Sequence, residues 1–472
     1  MLRRKTKIVC TLGPATDSSE GIAALINAGM NVVRLNFSHG NREDHRTTIG
    51  RIRKVAHRLD REVGILQDLG GPKIRLGLLP ETGVQLEAQH IIELAVDGQA
   101  PKGTLPVSYP YLLEDVAAGE TILLADGAAE LEVTEVLGDR LRCRVVNGGL
   151  LTSRKGVNLP QANLRVPAVT EKDLLDLDVG LDAGVDFVAL SFVRHEDDLA
   201  PVRERLVGLE HPPLLIAKIE KPQAVDRLGP IIEKVDGVMV ARGDLGVEMP
   251  PEKVPVIQKM IIDAARRAGR PVITATQMLR SMVDSPRPLR AEASDVANAV
   301  FDGTDALMLS EETAIGHYPN EAVRMLHRVA LEAEAYIGEK TWPTDPSTPA
   351  TPDITGAISR AACKLAEEIG AAVIVTATTS GSTARLIARH RPGTPVLGMT
   401  TSVSVARQLC LSWGIVPATT SETSDLAELG KALVSELDSQ NLASRGDHVV
   451  IAAGLPLGFS DSTNVLRIHQ LD

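Results

Sequence analysis

A lysine and a glutamate stand two residues apart at the end of a short apolar segment, Leu214-Leu-Ile-Ala-Lys-Ile-Glu-Lys-Pro222. The apolar residues predict a strand. Since successive side chains of a strand point to opposite faces, Lys218 and Glu220 share one face. Burying a cation beside an anion costs free energy unless something there uses both charges. A divalent metal on Glu220, with a phosphoryl group near Lys218, would use them; a structural ion pair is the alternative.

Polar residues after an earlier apolar segment follow the same alternation. Arg34, Asn36 and Ser38 lie on one face, where arginine suits a phosphate. The amide and hydroxyl oxygens suit a monovalent cation or a nucleotide phosphate. His39 comes next and, on its own, is a hydrogen-bonded loop residue more often than a catalyst. Structural polar residues at a strand end would give the same pattern.

Two more candidates follow apolar segments further along the chain. Asp244 stands in the glycine loop of Val240-Ala-Arg-Gly-Asp-Leu-Gly246, where backbone N–H groups can approach an anion while a carboxylate holds a metal. Paired with Glu220, it is a candidate second Mg²⁺ ligand. Thr276 could position a water or donate a proton. A turn aspartate and a strand hydroxyl are the alternatives.

The elements that must position these residues alternate strand and helix, which predicts a parallel sheet with helical crossovers. A unit recurs: a glycine near a helix end, an acidic or amide residue, an apolar strand, then polar residues. About eight such strands suggest a (β/α)8 barrel, whose active site lies at the C-terminal strand ends. The predicted strands fall near residues 7–11, 31–36, 63–68, 184–191, 214–220, 236–242, 271–276 and 302–310.

Two segments depart from the barrel pattern. Residues 72–167 are rich in Val, Leu, Thr, Gly and turn pairs, which predicts an inserted small all-β domain built of hairpins. A proline-rich linker at 342–352 precedes a further α/β segment. We therefore expect an α/β fold with barrel residues 1–71 and 168–342, an insertion at 72–167 and a C-terminal α/β domain at 343–472.

Composition limits the partners. The 472-residue chain has a net charge of −11 without a long basic run, so neither nucleic acid nor an anionic membrane is an expected partner. No apolar run approaches the roughly 18 residues of a membrane span. The four scattered cysteines lack C-x-x-C spacing, which predicts neither disulfides nor structural zinc. We expect a cytoplasmic protein.

Taken together, the motifs of this chain closely resemble those of the pyruvate kinase family. They follow the family's order to about residue 340, and the C-terminal part matches more loosely. The resemblance implies a barrel, a lid and a regulatory domain. It also implies transfer of the phosphoryl group of phosphoenolpyruvate to ADP, with Mg²⁺ or Mn²⁺, in an allosteric homotetramer. The matching segments are Thr6-Lys-Ile-Val-Cys-Thr-Leu-Gly-Pro-Ala-Thr16, Arg34-Leu-Asn-Phe-Ser-His-Gly40, Gly71-Pro-Lys-Ile-Arg75, Lys155-Gly-Val-Asn-Leu-Pro160, Ile216-Ala-Lys-Ile-Glu220, Ala241-Arg-Gly-Asp-Leu-Gly-Val-Glu248, Ala275-Thr-Gln-Met-Leu279 and Ser294-Asp-Val-Ala-Asn-Ala-Val300.

The resemblance also implies a role for each site residue. Glu220 and Asp244 hold the metal, Lys218 stabilises charge on the phosphoryl group, and Arg34 clamps it. The backbone from Arg242 through Gly243 to Asp244 binds the substrate carboxylate, and Thr276 lies where the enolpyruvate is protonated. Nucleotide contacts fall on Asn36, His39, Arg75 and Lys155, with Lys155 on the lid and Arg75 also counted among the catalytic residues.

One departure from the family concerns K⁺. Many members read Gly-Pro-Glu-Ile-Arg and need K⁺, whose ligands would correspond to Asn36, Ser38, Asp68 and the carbonyl of Leu69. This chain has Lys73 in place of that glutamate. An ammonium can stand where K⁺ would sit, and a second cation beside it would be repelled. We therefore predict activity without K⁺; a solvated Lys73 beside an ordinary K⁺ site is the alternative.

Two other departures are Arg280, where the family commonly has glutamate, and Glu311, where it has glycine. The pattern assigns them no role beyond an effect on subunit contacts.

In the last domain, Thr376-Ala-Thr-Thr-Ser-Gly-Ser-Thr-Ala-Arg385 resembles the family's effector loop. Hydroxyls and exposed N–H groups at a helix start can cradle a phosphate, although an ordinary capped helix reads the same way. The candidates for binding a phosphorylated effector are Thr378, Ser380, Ser382 and Thr383.

Two competing functions are a different Mg²⁺-dependent barrel lyase and a non-catalytic metabolite sensor. The inserted domain and the nucleotide-side residues Arg75 and Lys155 speak against the lyase, and retention of the catalytic residues against the sensor.

Overall fold

The computed structural model describes residues 4–338, 354–421, 436–437, 439–454 and 463–471. The linker expected at 342–352 lies outside these residues. The strands are β1 (Lys7–Thr11), β2 (Val32–Asn36), β3 (Gly64–Leu69), β4 (Val84–Gln85), β5 (Ile91–Val96), β6 (Leu105–Val107), β7 (Thr121–Leu124), β8 (Ala129–Val136), β9 (Leu141–Asn147), β10 (Leu150–Leu151), β11 (Val157–Asn158), β12 (Phe187–Leu190), β13 (Leu214–Ile219), β14 (Gly237–Ala241), β15 (Val272–Ala275), β16 (Ala306–Leu309), β17 (Val373–Ala377), β18 (Val396–Thr400), β19 (Ile415–Thr419), β20 (His448–Ala453) and β21 (Val465–Gln470).

The α-helices are α1 (Ser19–Ala28), α2 (Arg42–Arg58), α3 (Leu112–Asp115), α4 (Glu171–Ala183), α5 (Ala200–Leu206), α6 (Pro222–Asp226), α7 (Leu228–Lys234), α8 (Arg242–Glu248), α9 (Val254–Arg267), α10 (Arg290–Asp302), α11 (Glu311–Ala314), α12 (Pro319–Gly338), α13 (Ile354–Glu368), α14 (Ser382–Ala388) and α15 (Val403–Leu409). Short 3₁₀ helices cover Glu196–Leu199, Pro251–Lys253 and Arg280–Val283. Within the described ranges, no helix combines the length and apolarity needed to span a bilayer.

Eight parallel strands close into a barrel in the order β1-β16-β15-β14-β13-β12-β3-β2. They are short and almost wholly buried, as parallel strands must be when helices cover one face and packed side chains fill the other. All eight strands predicted from the sequence lie in this barrel. The expected fold class, a barrel with an inserted all-β unit and a C-terminal α/β unit, is confirmed.

The inserted unit is a six-stranded sheet, β11-β7-β8-β9-β5-β6, with a two-stranded sheet, β10-β4. It has an apolar core of its own, which includes Leu94, Leu131 and Leu141. A polar contact joins it to the barrel, because Asn158 Nδ2 donates to Glu248 Oε1 over 2.7 Å.

The C-terminal unit is a five-stranded sheet in the order β19-β18-β17-β20-β21, with β21 antiparallel to β20. Strands β19 and β21 were not predicted from the sequence. Helices α13 and α14 pack on this sheet, and α15 turns toward the barrel.

The C-terminal unit closes the base of the barrel, meaning the end where its strands begin. Cys410 and Leu411, just after α15, share one apolar cluster with barrel residues such as Phe187 and Ile273. The approach is close at Gly64, where a Cβ would lie 2.8 Å from the Phe187 ring and 3.1 Å from a carbonyl oxygen of α15. The barrel is therefore packed shut at its base and open at the opposite end, its mouth.

Candidate active site

Four charged side chains meet at the barrel mouth, where β2, β3 and β13 end. Arg34 Nε donates to Asp68 Oδ2 over 2.7 Å. Lys218 Nζ lies 3.5 Å from Asp68 Oδ1 and 3.4 Å from Glu220 Oε2. None of the four side chains is more than 13% exposed. The structure thus unites the arginine, lysine and glutamate that the sequence analysis proposed, with Asp68 between them.

The mutual pairing keeps Asp68 and Lys218 charged. Burial alone would raise the pKa of the Asp68 carboxyl, but Lys218 and Arg34 outweigh burial and hold that pKa below its ordinary value. Burial would lower the pKa of Lys218, yet the carboxylates of Asp68, Glu220 and Asp244 raise it. The Lys218 ammonium is therefore available at neutral pH to face an anion.

Glu220 is the least satisfied member of the cluster. Its Oε1 accepts a hydrogen bond from the Phe192 N–H over 2.7 Å. Its buried Oε2 faces Lys218 Nζ at 3.4 Å but accepts no hydrogen bond from any residue that the structure describes. Burial, together with the negative charges of Asp244 and Asp68, raises the pKa of Glu220 to about 7, although Lys218 opposes the rise. A buried carboxylate oxygen without a donor suits a cation.

Asp244 lies in the first turn of α8 and its side chain is exposed. The predicted glycine loop was wrong here, because the chain enters a helix directly after β14. This short helix tolerates Gly243 and Gly246. The Asp244 carboxylate, in its first turn, is stabilised by the N–H groups at the helix N-terminus. Among the described residues, no three or more His, Cys, Asp or Glu side chains form a metal-binding group. A metal here would have two protein carboxylates, which suits Mg²⁺ because that ion retains waters and substrate oxygens.

Thr276 occupies a constrained position just beyond β15. Its φ is 68° and that of Gln277 is 55°, both in the left-handed region. The Thr276 hydroxyl accepts from the Gly243 N–H and donates to the Ala275 carbonyl, each over 2.7 Å. Arg242 Nη2 donates to the Thr276 carbonyl over 2.7 Å. The turn is thus held from two sides by hydrogen bonds, and one of them joins Thr276 directly to Gly243.

The four expected nucleotide-side residues divide between the barrel and the inserted unit. Asn36 ends β2, and His39 is exposed three residues later. Partial burial, reinforced by nearby basic side chains including Arg75, lowers the pKa of His39. Arg75 pairs with Gly156 in an isolated bridge, which brings it next to the exposed Lys155. Arg75 thus lies between His39 of the barrel and Lys155 of the inserted unit. Among the described residues, no direct contact joins Lys155 to Asn36 or His39.

Two of the oxygens expected to bind a monovalent cation already accept hydrogen bonds. The Leu69 carbonyl accepts from Ser191 Oγ over 2.8 Å, and Asn36 Oδ1 accepts from the Ser38 N–H over 3.1 Å. Asp68, the third member, is engaged by the charged cluster. Each carbonyl or amide oxygen keeps a second lone pair.

Lys73 is exposed and, within the described residues, forms neither a hydrogen bond nor an ion pair. Lys73 is nevertheless within electrostatic reach of the cluster. Partial burial lowers the pKa of Lys73, and the cations of Lys218 and Arg75 lower it further. Asp68 and Asp244 act on the Lys73 pKa in the opposite direction.

The hydroxyl loop between β17 and α14 is organised by its own side chains. Thr378 Oγ1 accepts from the Gly381 N–H over 2.9 Å, and Ser380 Oγ donates to Ser382 Oγ over 3.1 Å. Thr383 is buried and its hydroxyl lies 2.6 Å from that of Thr463. Three of the four candidates therefore form a local network, and Thr383 faces the interior.

Arg280 and Glu311, the two unassigned departures, pair with each other. Arg280 Nε lies 2.7 Å from Glu311 Oε2, and both side chains are about half exposed. The two side chains thus form a half-exposed ion pair at the rim of the mouth.

Sequence reasoning missed Ser191. Its hydroxyl accepts from Lys218 Nζ over 2.7 Å and donates to the Leu69 carbonyl, so it orients the lysine. The signal was present, because Ser191 closes one copy of the recurrent strand unit, at the position where other copies carry functional residues.

The chain resembles known proteins throughout its length. A family model described as pyruvate kinase, barrel domain, matches residues 3–323, and one described as pyruvate kinase, alpha/beta domain, matches residues 356–469. A pyruvate kinase of Sporosarcina psychrophila is 45% identical over 472 residues, spanning 99% of this chain and 80% of that protein. One of Geobacillus stearothermophilus is 44% identical over 478 residues, spanning 100% and 81%. The crystal structure of a pyruvate kinase from Cryptosporidium parvum superposes with a TM-score of 0.93 at 36% identity, covering 99% of this chain and 96% of that one.

Proposed function

The chain belongs to the pyruvate kinase family of enzymes, and we propose that it transfers the phosphoryl group of phosphoenolpyruvate to ADP in the last step of glycolysis. The observation that carries this proposal is the buried cluster of Arg34, Asp68, Lys218 and Glu220 at the barrel mouth. Phosphoryl transfer depends mainly on positioning and on positive charge around the phosphoryl oxygens. Arg34 and Lys218 provide that charge, and Asp68 fixes both.

Glu220 and Asp244 are the proposed ligands of Mg²⁺, with Mn²⁺ as a substitute. Glu220 Oε2, which accepts no hydrogen bond among the described residues, and the exposed carboxylate of Asp244 are hard oxygen donors that fit either ion. When bound, the metal neutralises charge on the substrate carboxylate and phosphate.

Thr276 is the proposed proton-donating position for the enolpyruvate. Its hydroxyl is oriented by Gly243, and its left-handed backbone is held by Arg242. The backbone at Gly243 and Asp244 would receive the substrate carboxylate. On the nucleotide side we assign Asn36, His39, Arg75 and Lys155. Of these, Arg75 and Lys155 belong to the inserted unit, which would act as a lid that excludes water.

Turnover in the full chain tests this proposal. With phosphoenolpyruvate, ADP, Mg²⁺ and K⁺, we expect pyruvate and ATP to appear in equal amounts, measured by separate coupled assays. Omitting Mg²⁺ in the presence of a chelator should abolish both products. Absence of turnover, even with phosphorylated effectors added, together with saturable binding of such an effector, would identify a metabolite sensor instead.

Independence of K⁺ is the second part of the proposal. The electrostatic effects of Lys218 and Asp68 on Lys73 support a position of its ammonium near the proposed monovalent-cation ligands. We expect full turnover in Na⁺ buffers free of K⁺ and NH₄⁺, because the ammonium supplies the positive charge. Lys73→Glu should lower that turnover by about tenfold or more, with recovery on adding K⁺. Lys54→Glu, an exposed lysine of α2, is the matched control. Wild-type turnover that appears only with K⁺ would refute this part.

Regulation and assembly complete the proposal. We assign a phosphorylated effector to Thr378, Ser380, Ser382 and Thr383. The first three have hydroxyls that are hydrogen-bonded within the loop that leads into α14, and Thr383 follows in the first turn of that helix. We further propose a cytoplasmic homotetramer, with barrel segments 1–71 and 168–342, a lid at 72–167 and a regulatory domain at 343–472.

A further inference from the structure

Two segments of the barrel mouth carry the proposed metal ligands, and a buried ion pair joins these segments. Glu220 directly follows β13, and Asp244 lies in the first turn of α8. The residue after Glu220 is Lys221, and the last residue of α8 is Glu248. Lys221 Nζ lies 2.6 Å from Glu248 Oε1. The Lys221–Glu248 pair therefore connects the two segments whose carboxylates would converge on one ion.

The anchor on α8 acts on the whole helix because the helix is short. It has seven residues, and Glu248 is four residues after Asp244, so the two side chains project from the same side. Glu248 is buried whereas Asp244 is exposed. Holding Glu248 in place thus fixes the rotation of α8 and, with it, the direction in which Asp244 leaves the backbone.

At its other end the ion pair contacts the residue that holds Glu220. Lys221 Nζ lies 5.1 Å from the centroid of the Phe192 ring, within the range of a cation–π interaction. The Phe192 N–H donates to Glu220 Oε1 over 2.7 Å. Phe192 has a φ of 61°, in the left-handed region, which is unfavourable for an aromatic residue. The ammonium over the ring stabilises the backbone conformation that presents this N–H to Glu220.

The inserted unit reaches the same ion pair. Asn158 Nδ2, from β11, donates over 2.7 Å to the Glu248 oxygen that also accepts from Lys221. Gly71, the last residue before the inserted unit, packs against Phe192, since a Cβ on Gly71 would lie 2.9 Å from a ring carbon. The inserted unit and its connection to the barrel therefore both contact the groups that surround Glu220.

Stability alone gives little reason to bury these two charges. The Lys221 and Glu248 side chains are 7% and 1% exposed, so both have lost most of their contact with water. A buried ion pair is often no more stable than apolar residues of similar volume. Glu248 Oε2 accepts no hydrogen bond among the described residues, so the cost of desolvation is not fully offset. A role in holding neighbouring groups accounts for that cost.

We propose that Lys221 and Glu248 are positioning residues, which hold the two carboxylates of the mouth at the separation that a divalent metal requires. Asn158 makes the same pair the docking point of the inserted unit, so that docking of the lid and binding of the metal favour each other. The inference rests on the proposed function for the identity of the metal ligands, Glu220 and Asp244.

Mn²⁺ binding to the full chain without substrates tests the positioning role, with electron paramagnetic resonance of the free ion as the measurement. The relevant sites are those that Glu220→Gln abolishes. The double variant Lys221→Met/Glu248→Leu keeps the net charge and leaves neither charge unpaired, so its urea midpoint should be close to that of the wild type or higher. Its Mn²⁺ dissociation constant should rise on the order of 10- to 100-fold, the usual result of losing groups that orient metal ligands.

The matched control makes the same two substitutions in an exposed ion pair. Lys364 and Glu368 pair on the surface of α13, and Lys364→Met/Glu368→Leu should bind Mn²⁺ like the wild type. A purely structural role of the buried pair would give this same result for Lys221→Met/Glu248→Leu.

Asn158→Ala tests the connection to the lid and leaves the ion pair intact. We expect the KM for ADP to rise by roughly tenfold, because a hydrogen bond to a charged acceptor no longer holds the inserted unit, with Arg75 and Lys155, at the mouth. Asn147→Ala is the control, since the Asn147 amide donates to Glu130 within the inserted unit. It should retain the wild-type KM.

Wild-type Mn²⁺ affinity in the folded double variant would overturn the positioning role, and an unchanged KM for ADP in Asn158→Ala would overturn its extension to the lid. A wild-type protein that binds no Mn²⁺ would refute the proposed metal site and this inference with it. Pyruvate formation by the wild type is measured separately, so failure of the inference alone leaves the proposed function standing.

Discussion

The two ends of the barrel use buried charge and apolar surface in opposite ways. At the mouth, Lys218, Asp68 and Glu220 form a buried cluster of charges, and Glu220 Oε2 accepts no hydrogen bond among the described residues. At the base, Leu411 fills the end of the barrel, and the buried Asp305 is satisfied by Arg391 and by the backbone N–H groups of Val272 and Trp413.

The difference separates reactivity from stability. A satisfied charge pair under apolar cover holds two units together and leaves nothing to bind a substrate. An incompletely satisfied cluster that is open to one side costs stability and can offset that cost only through a ligand. The mouth is thus the place for chemistry, and the base is a place for anchoring.

The largest expected effect is at the mouth. Lys218→Met removes the cation nearest to Asp68 and Glu220, and we expect kcat to fall on the order of 10²- to 10³-fold or more, since a preorganised charge on the transferring group is lost. Steady-state pyruvate formation measures it. Lys54→Met, an exposed lysine of α2, should retain wild-type turnover. Near-normal activity of Lys218→Met would remove the mouth from the chemistry.

At the base, Leu411→Ala should act on stability. Leu411 is fully buried, and truncation leaves a cavity that costs about 2–5 kcal/mol of unfolding free energy. Urea denaturation followed by circular dichroism measures the change. The matched control is Leu209→Ala, because Leu209 is 42% exposed. Equal losses in the two variants would mean that the C-terminal unit does not seal the barrel.

The pH dependence of stability sharpens the contrast. The pKa of Glu220 is raised from 4.5 to about 7 in the folded chain. Its ionisation therefore opposes folding, with a cost that begins above pH 4.5, grows to pH 7 and is then complete, on the order of 3 kcal/mol.

In metal-free protein, Glu220→Gln should therefore exceed the wild type in urea midpoint at pH 8 and match it near pH 4.5. Urea titrations at several pH values measure this difference. Glu332→Gln, an exposed glutamate of α12, should show no such trend. A difference independent of pH would mean that Glu220 is stably ionised without metal.

The smallest effect concerns the exposed pair at the rim. Arg280 and Glu311 are half exposed, so their coupling in a double-mutant cycle should be about 0.2–1 kcal/mol and should shrink in high salt. Alanine substitutions, singly and together, measure it by urea denaturation. A coupling of several kcal/mol would indicate that another surface buries this pair.

Much of the barrel could be predicted because its strands repeat a local pattern. The alternation along one strand was enough to place Lys218 and Glu220 on one face, and the recurrent unit was enough to count the strands. The position of Asp68 was harder: the sequence analysis grouped it with the monovalent-cation oxygens. The pairing of Asn36 with Asp68 across β2 and β3 instead places it beside Arg34 and Lys218.

Contacts between distant segments account for the rest. Ser191 reaches Lys218 only because β12 and β13 are neighbours in the barrel. Leu411 packs in one cluster with Phe187, from which it is separated by more than 200 residues in the sequence. Neither contact leaves a periodic trace in the sequence. Asp244 was assigned to a loop because glycines suggest turns, although a first-turn carboxylate equally favours a helix.

The turnover of Leu411→Ala at saturating phosphoenolpyruvate, measured beside that of Lys218→Met, tests the separation of the two ends most directly. Both variants are assayed without urea, on protein with native circular dichroism. The account predicts a kcat within about threefold of wild type for Leu411→Ala, since the base of such a barrel serves stability, and a collapse for Lys218→Met. Equal losses of kcat in the two folded variants would contradict it.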